Sequence, residues 1–323
     1  MKADSQVSIV IPNYNGMAFM EACLRSVLTD APEAEILMVD NGSWDGSPDY
    51  VREHFPQVRL LALDQNYGFA RAVNEGIRAA KRPYVILLNN DTEVEPGFTD
   101  ALREALEQNP KAFSAQAKLI QLHQPEKLDD AGNFYCALGW AFARGKDRSS
   151  ALYEAPDRIF AACAGAAIYR KEVLEEIGYF DEAHFAYLED IDLGWRAGIY
   201  GYENRYAPEA RVLHAGSGTS GSRYNEFKVT LSSRNNIWII YKNMPLLQLV
   251  LNLPFLLVGF GAKQLFFCRK GLGGIYARGI LTGIRTCDRE KKVRFRWKHV
   301  PAYLRIQWEL WANIARRFVG ERY

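Results

Sequence analysis

Hydrophobic positions along the first hundred residues follow two alternating rhythms. Short apolar runs, VSIVIPNYN (7–15), EILMVDNGS (35–43), VRLLAL (58–63) and PYVILLNND (83–91), mostly end in turn residues. Between them, 17–29, 46–55, 68–80 and 96–108 carry apolar residues at helical spacing, the last opened by Pro96 and Gly97. A continuous apolar run of strand length suits a strand buried on both faces. Strands alternating with helices of this length predict βαβ units: an α/β fold with a mostly parallel sheet flanked by helices. The middle, 110–222, is less regular, with β-like pieces (AFSAQAKLI, RIFAACAGAAIYR) and a helix-like stretch from Leu188 to Tyr200. A long helix is predicted over 223–243. From Met244 the character changes: PLLQLVLNLPFLLVGFGA (245–262) has Gln248 and Asn252 as its polar breaks and contains Pro254. The last amphipathic stretch, 301–318, is rich in Trp and Arg. This divides the chain into an α/β domain over 1–222 and a helical extension over 223–323.

Composition adds one asymmetry. The 323 residues hold 40 Lys+Arg and 38 Asp+Glu, and 48% hydrophobic with 24% charged residues excludes disorder and collagen-like repeats. The balance is uneven: 263–323 carries 15 Lys+Arg against 4 Asp+Glu. Such a tail suggests an anionic partner, membrane or nucleic acid. No nucleic-acid-binding module accompanies the charge, which favours membrane. Five cysteines without a CxxC pair point away from a disulfide scaffold or structural zinc, and the opening KADSQVSIVIPNYNG is expected to be a strand rather than a signal peptide.

In open parallel sheets the ligand sits outside the carboxyl ends of the strands. Those ends read Pro12-Asn13-Tyr14-Asn15, Asp40-Asn41-Gly42-Ser43, Asp64-Gln65-Asn66 and Asn89-Asn90-Asp91. Amides and acids recur at all four, beyond what turn-making requires. No strand end carries a Lys-bearing phosphate loop. Gly216-Ser217-Gly218-Thr219-Ser220-Gly221 fits a dinucleotide fingerprint, but a long helix follows where a βαβ unit is needed, so a mobile loop closing over a ligand is the better reading.

VSIVIPNYNG, VDNGSWDGS, NYGFARAVNEGI and LLNNDTEVEPG, followed by GAAIYRKEVLEEIGYFDE, FAYLEDIDLGWRAGIYGY and VLHAGSGTS, resemble in order and spacing the family 2 glycosyltransferases of the GT-A fold, over about residues 7–220. Within that family the chain is similar to the bacterial rhamnosyltransferase-like branch. The resemblance implies an inverting glycosyltransferase. It would move a sugar, for example rhamnose, from a dTDP- or UDP-linked donor to a lipid-linked or polysaccharide acceptor in cell-surface glycan synthesis. Loss of a nucleoside diphosphate calls for charge neutralisation, which a divalent metal, Mg²⁺ or Mn²⁺, provides.

The resemblance also implies roles. Asp91 holds the metal where the family has Asp-x-Asp; here Asn89 and Asn90 precede it and face the donor. His214 can complete the metal shell, or be structural. Pro12 and Asn15 shape the base pocket, Asp40 meets base or ribose, and Ser43 adds a hydroxyl. Asn66, Gly68 and Arg71 grip the nucleoside, with a solvated helix face the alternative for Arg71. Asp190 is the base that takes the acceptor proton, Glu189 orients the acceptor or tunes the base, and Asp192 is structural. Gly165 and Ala166, in a small-residue loop or a strand bend, and Trp195 lie against the acceptor. Arg234, and more weakly Lys228, attend the pyrophosphate.

For the tail, the polar breaks in 245–262 and the basic sequel predict a helix in the membrane interface or a shallow hairpin. Arg269, Lys270, Lys291, Lys292, Arg294, Arg296 and Lys298 would meet anionic head groups, with Trp297, Trp308 and Trp311 at head-group level. That places the protein in the cytoplasm, peripheral on the inner face of the plasma membrane. The competing reading packs these helices on the core or on a second copy in a homo-oligomer. Three other functions fit less well. A sugar nucleotidyltransferase needs a Gly-rich basic loop after the first strand, and a processive synthase a Gln-x-x-Arg-Trp signature. A non-catalytic nucleotide-sugar-binding protein has no need of Asp91 and Asp190.

Overall fold

The computed structural model describes residues 3–216 and 224–319; most of the Gly216–Gly221 loop lies outside them. The chain runs through β1 (Val7–Asn13), α1 (Met17–Asp30), β2 (Glu35–Asp40), α2 (Ser47–His54), β3 (Arg59–Ala62), α3 (Phe69–Ala79), β4 (Tyr84–Leu88), β5 (Thr92–Val94), α4 (Phe98–Glu107) and β6 (Ala112–Gln121). It continues with β7 (Gln124–Asp130), β8 (Asn133–Cys136), β9 (Trp140–Ala143), β10 (Asp157–Ile159), β11 (Ala166–Arg170), α5 (Lys171–Ile177), α6 (Glu189–Tyr200) and β12 (Glu203–His214). Four helices close it: α7 (Glu226–Asn243), α8 (Leu246–Arg269), α9 (Gly273–Arg285) and α10 (Val300–Val319).

The main sheet has the order β10-β12-β6-β11-β4-β1-β2-β3, with β5 on β12 and β7 on β6. The β4-β1-β2-β3 half is parallel, built from the predicted βαβ units. Beyond it β11 runs antiparallel to both β4 and β6. The pleat sends alternate side chains to opposite faces. Ile9, Ile11, Ile86 and Leu88 pack on one side with α1 and α4, and Val10, Val85 and Leu87 on the other with α3.

The extension is not packed by itself. Ile239, Ile240, Leu256, Ile306 and Leu310 belong to the same core as β1 and β4. Helix α8 is one 24-residue helix with Pro254 inside it, not a hairpin. Its buried positions, Gln248, Asn252, Leu256, Gly259 and Phe267, form one narrow stripe. The polar breaks therefore mark the protein-facing side. Asn252 and Gln307 of α10 exchange hydrogen bonds of 2.8 and 2.9 Å. At Gly259 a Cβ would stand 1.9 Å from the Leu138 carbonyl oxygen, so only glycine lets the helix approach this closely. The opposite side is apolar and open: Leu247, Leu257 and Val258 are 81, 66 and 66% exposed.

Two of the tail cations bond to protein, although Lys291 is itself exposed. Lys291 donates to Asp181 (2.6 Å), and Lys292 donates to the Tyr241 carbonyl (2.7 Å). Arg269, Lys270, Arg294, Arg296 and Lys298 are exposed, as are Trp297, Trp308 and Trp311.

Candidate active site

Parallel register sets Asn13 beside Asp40 at the ends of β1 and β2. Asn13, 1% exposed, is the hub of this end. Its amide donates to Asp40 Oδ1 (3.0 Å), Ser43 Oγ (3.1 Å) and Ser47 Oγ (2.8 Å), and its oxygen accepts from Asn90 (2.7 Å). Asp40 Oδ2 accepts from the Ser43 amide (3.1 Å). The Asn15 amide donates to Ser43 Oγ (2.9 Å), and Asn15 Oδ1 accepts from the Trp44 amide (2.9 Å). Asn41 donates to Asn66 (2.9 Å) and accepts from the Tyr67 amide (2.9 Å). The crevice floor is thus a mostly neutral, internally satisfied lattice of amides and hydroxyls. On its lip Tyr14 and Trp44 meet edge to face at 5.3 Å, and Trp44 is 76% exposed.

Antiparallel pairing of β5 with β12 brings Thr92 opposite His214. As a result Asp91 Oδ1 lies 3.3 Å from His214 Nε2. Two neighbouring ligands of one ion with bonds of roughly 2.1 Å stand at about this separation. His214 Nδ1 is held by Asp129 Oδ2 at 2.8 Å, the carboxylate–imidazole arrangement that fixes a metal-ligating ring. Lys146 contacts the other oxygen of Asp129. Burial opposes charge on His214, but the hydrogen bonds it donates to Asp129 and Asp91 prevail and raise it to about 9, so an ion bound here displaces the Nε2 proton. Burial likewise opposes charge on Asp129, and His214 with Lys146 brings it down to about 2. Among the described residues no group of three or more His, Cys, Asp or Glu could hold an ion. The pair fits a metal that takes its remaining ligands from substrate and water.

The third corner is acidic. Asp190 opens α6, and its carboxylate accepts from Asn133 (2.9 Å) and from the Ile191 amide (2.7 Å). Glu189 is buried, and its Oε2 has no hydrogen-bond partner among the described residues. Burial raises both carboxyls above the ordinary range, and the Asp190 charge raises Glu189 further. Asp190 has the donors that stabilise its anion, so it ionises first and Glu189 keeps its proton. Burial also pushes Asp130, held by the Gly132 amide at 2.7 Å, up to about 7. Asp192 is paired with Arg196 (3.0 Å), Lys242 (2.8 Å) and Asn243 (2.8 Å), which anchors α6.

The segment before α6 is strained. Phe185, Tyr187 and Leu188 have φ of 64, 72 and 68°, a cost of about 1–3 kcal/mol each. The Asn235 amide holds them from α7, lying 3.0, 2.9 and 2.8 Å from the carbonyls of His184, Ala186 and Tyr187. Arg234 donates to the carbonyls of Ala183 (3.1 Å) and His184 (3.0 Å) and lies over Trp238. It therefore braces this segment. Gly68, at φ 87°, has Phe185 as its close neighbour, where a Cβ would meet the carbonyl oxygen at 2.5 Å.

Several expected residues come together here and others do not. Asn15, Asp40, Ser43 and Asn90 share the first corner, with Pro12 opposite Val39 in the sheet. Asn66 is tied to it through Asn41. Asn89 leads out of β4, its amide donating to the Gly165 carbonyl at 2.8 Å. Arg71 stacks on Tyr67 at 3.8 Å. Trp195 is a correction: it is 1% exposed and packs on Tyr135 and Phe160, so no acceptor reaches it. Ala166 is corrected likewise, its methyl fully buried in the core, while Gly165 lies under Asn89. Asn133, Asp129 and Asp130 were not expected, while Asn13 was read only as part of its strand end. The run Asp129-Asp130-Ala131-Gly132-Asn133, two acids before a turn, was the signal available for those three.

A parallel half-sheet ending in amides and acids, a carboxylate–imidazole pair at the next strand and a buried pair of carboxyls beyond it define a GT-A glycosyltransferase. The chain belongs to glycosyl transferase family 2, whose pattern residues 8–178 match, within the rhamnosyltransferase-like branch. N-acetylglucosaminyl-diphospho-decaprenol L-rhamnosyltransferase of Mycobacterium tuberculosis is 32% identical over 242 residues, 66% of this chain and 77% of that protein. Poly-beta-1,6-N-acetyl-D-glucosamine synthase of Staphylococcus epidermidis is 27% identical over 215 residues, 63% of this chain and 48% of that one. Among solved structures, GalNAc-T7 with UDP, GalNAc and Mn²⁺ gives a TM-score of 0.59 at 16% identity, over 73% of this chain and 48% of its own. The mannosyltransferase PcManGT from Pyrobaculum calidifontis, with GDP-Man and Mn²⁺, gives 0.51 at 16% identity over 98% and 88%. These structures share the fold.

Proposed function

We propose that the protein transfers a sugar such as rhamnose from a dTDP- or UDP-linked donor to a hydroxyl of a lipid-linked saccharide, inverting the anomeric carbon. The observation that carries this reading is Asp190, a carboxylate held by two donors at the head of α6 and kept more basic than usual. A relative 32% identical is named as an L-rhamnosyltransferase on N-acetylglucosaminyl-diphospho-decaprenol, which supports the donor sugar and the acceptor class.

Asn13, Asp40 and Asn90 fix the crevice floor, and the Tyr14–Trp44 lip offers the base an aromatic face. Asp190 takes the proton of the acceptor hydroxyl as that oxygen bonds to the anomeric carbon. The carbon–oxygen bond to the diphosphate breaks, and its electron pair leaves with the nucleoside diphosphate. Protonated Glu189 keeps a second negative charge away from the base. Asp91 and His214 would hold Mg²⁺ or Mn²⁺, whose chemistry is to neutralise the diphosphate. Asp129 keeps the His214 ring turned toward Asp91.

The proposed setting is the cytoplasmic face of the plasma membrane. The open apolar side of α8 would enter the interface, beside exposed Arg269, Lys270, Arg294, Arg296 and Lys298. Helix α8 is long and apolar enough to cross a membrane, but its polar stripe is committed to α10.

The test is product formation from a panel of dTDP-, UDP- and GDP-sugars with a lipid-diphosphate saccharide as acceptor, with and without chelator. Transfer from a dTDP- or UDP-sugar, lost on chelation, is expected. No product from any donor, or full activity under chelator, overturns the reading.

A further inference from the structure

A cavity of about 820 Å³ lies between the segment after β9, Tyr187 and Leu188 before α6, and helices α7, α8 and α10. Arg144, Lys146, Lys228, Lys263, Arg316 and Arg317 are among its lining residues, and Asp147 is the one carboxylate in the described lining. Arg144 and Lys146 are engaged by Asp157 and Asp129. Three of the other cations are held differently. Lys263, Arg316 and Arg317 lie over the rings of Trp140, Phe134 and Phe142, at 6.0, 5.0 and 5.8 Å. None of these three is in an ion pair with a described carboxylate. An aromatic face attracts a cation without cancelling its charge. Burial draws the Lys263 ammonium down to about 8, and the Arg317 charge adds to that. Cations gathered this way repel one another until an anion joins them.

The remaining wall is aromatic, with Tyr224, Phe266, Phe267 and Tyr276. It runs out onto the open side of α8, where Val258 and Leu265 are 66 and 55% exposed. A ligand suited to this cavity has a compact anionic centre and an apolar chain leaving along α8.

We propose that the cavity binds the diphosphate of a polyprenyl-diphosphate-linked acceptor, with its first isoprene units against Phe266 and the outer side of α8. This rests on the reading of the protein as a transferase acting on a lipid-linked saccharide. Two observations assign the cavity to acceptor rather than donor. Tyr187 and Leu188 on its wall lead directly into Glu189 and Asp190, the base end of the site. Lys146 on its wall contacts Asp129, which holds His214, so the cavity adjoins the metal corner, yet neither Asp91 nor His214 lines it.

Calorimetric titration of the full chain with farnesyl diphosphate, without nucleotide or metal, tests this. Saturable binding is expected, with weaker binding of inorganic pyrophosphate, which lacks the chain. The Lys263→Gln/Arg317→Gln variant is expected to weaken farnesyl diphosphate binding by about tenfold or more, since two charge-assisted contacts go. Arg148→Glu, at an exposed rim position, is expected to weaken it about threefold, and keeps the test open if the double variant fails to fold. Asp91→Asn is expected to leave it unchanged. Unchanged affinity in the cavity variants, loss of binding in Asp91→Asn, or equal affinity for pyrophosphate overturns the proposal. Because the readout is binding, a chain that takes farnesyl diphosphate here yet transfers no sugar sinks the transferase reading and leaves this site standing.

Discussion

The two ends of the crevice solve opposite problems. At the β1–β2 end, polar side chains are satisfied by one another: Asn13 alone serves Asp40, Ser43, Ser47 and Asn90. At the α6 end, acids are buried with too few donors, and Glu189, Asp190 and Asp130 all sit above the ordinary carboxylate range. A satisfied lattice holds a shape and resists protonation changes. An under-solvated carboxyl stores the reactivity a base needs. Recognition and reaction are thus divided between two kinds of polar environment.

The largest effect is expected between the two ends. Asp91→Ala removes the carboxylate at the metal corner, so turnover should fall to background and donor binding should weaken with it, measured by sugar transfer and by calorimetry with dTDP and UDP. Full turnover would remove the metal corner from the mechanism. Asp190→Asn comes next. It keeps shape but cannot accept a proton, so turnover should drop by about 10²-fold or more while donor affinity holds. An equal loss of both would mean the two ends are not separable.

At the lattice end, Asn13→Ala strands several buried partners and should cost about 2 kcal/mol of stability, read by urea unfolding. It should weaken donor binding with little change in the acid limb of the pH profile. Asn133→Ala should do the reverse. Asn133 stabilises the ionised Asp190, and activity rises with pH as Asp190 ionises. Removing it should shift that limb upward by about one unit, with donor affinity unchanged. A limb that stays in place would mean Asn133 supports only the fold.

The smallest effect on the fold is expected at the open side of α8. Leu247→Asp with Leu257→Asp should change stability by no more than about 0.5 kcal/mol. It should spare transfer to a water-soluble acceptor and abolish sedimentation with anionic vesicles. Retained sedimentation would place membrane contact elsewhere.

The parallel half of the sheet was legible because each strand and helix is specified locally, by apolar runs ending in turn residues. The β1, β2 and β4 ends were legible for the same reason. What escaped depends on distant pairing: Asn133 meets Asp190 57 residues away, and Asp129 meets His214 85 residues away. Asp129 lies on β7, a charged strand with no clear hydrophobic period, and Asn133 opens β8, which is four residues long. Trp195 misled through adjacency. Five helical steps from Asp190 turn roughly 140° around the axis, so a residue within the motif faces the core. The breaks in the α8 run were visible, but a polar residue in an apolar run marks a side of a helix without naming its neighbour.

Every group assigned to the donor, the metal and proton transfer lies before α7, while Asn235, Lys242 and Asn243 lie on α7 and fasten α6 and the strained turn ahead of it. A chain cut ahead of α7 would keep those groups and lose both their alignment and much of the wall of the acceptor cavity. Recombination there would pair a reacting half with fastenings cut for another turn, so the two halves are bound to be inherited together.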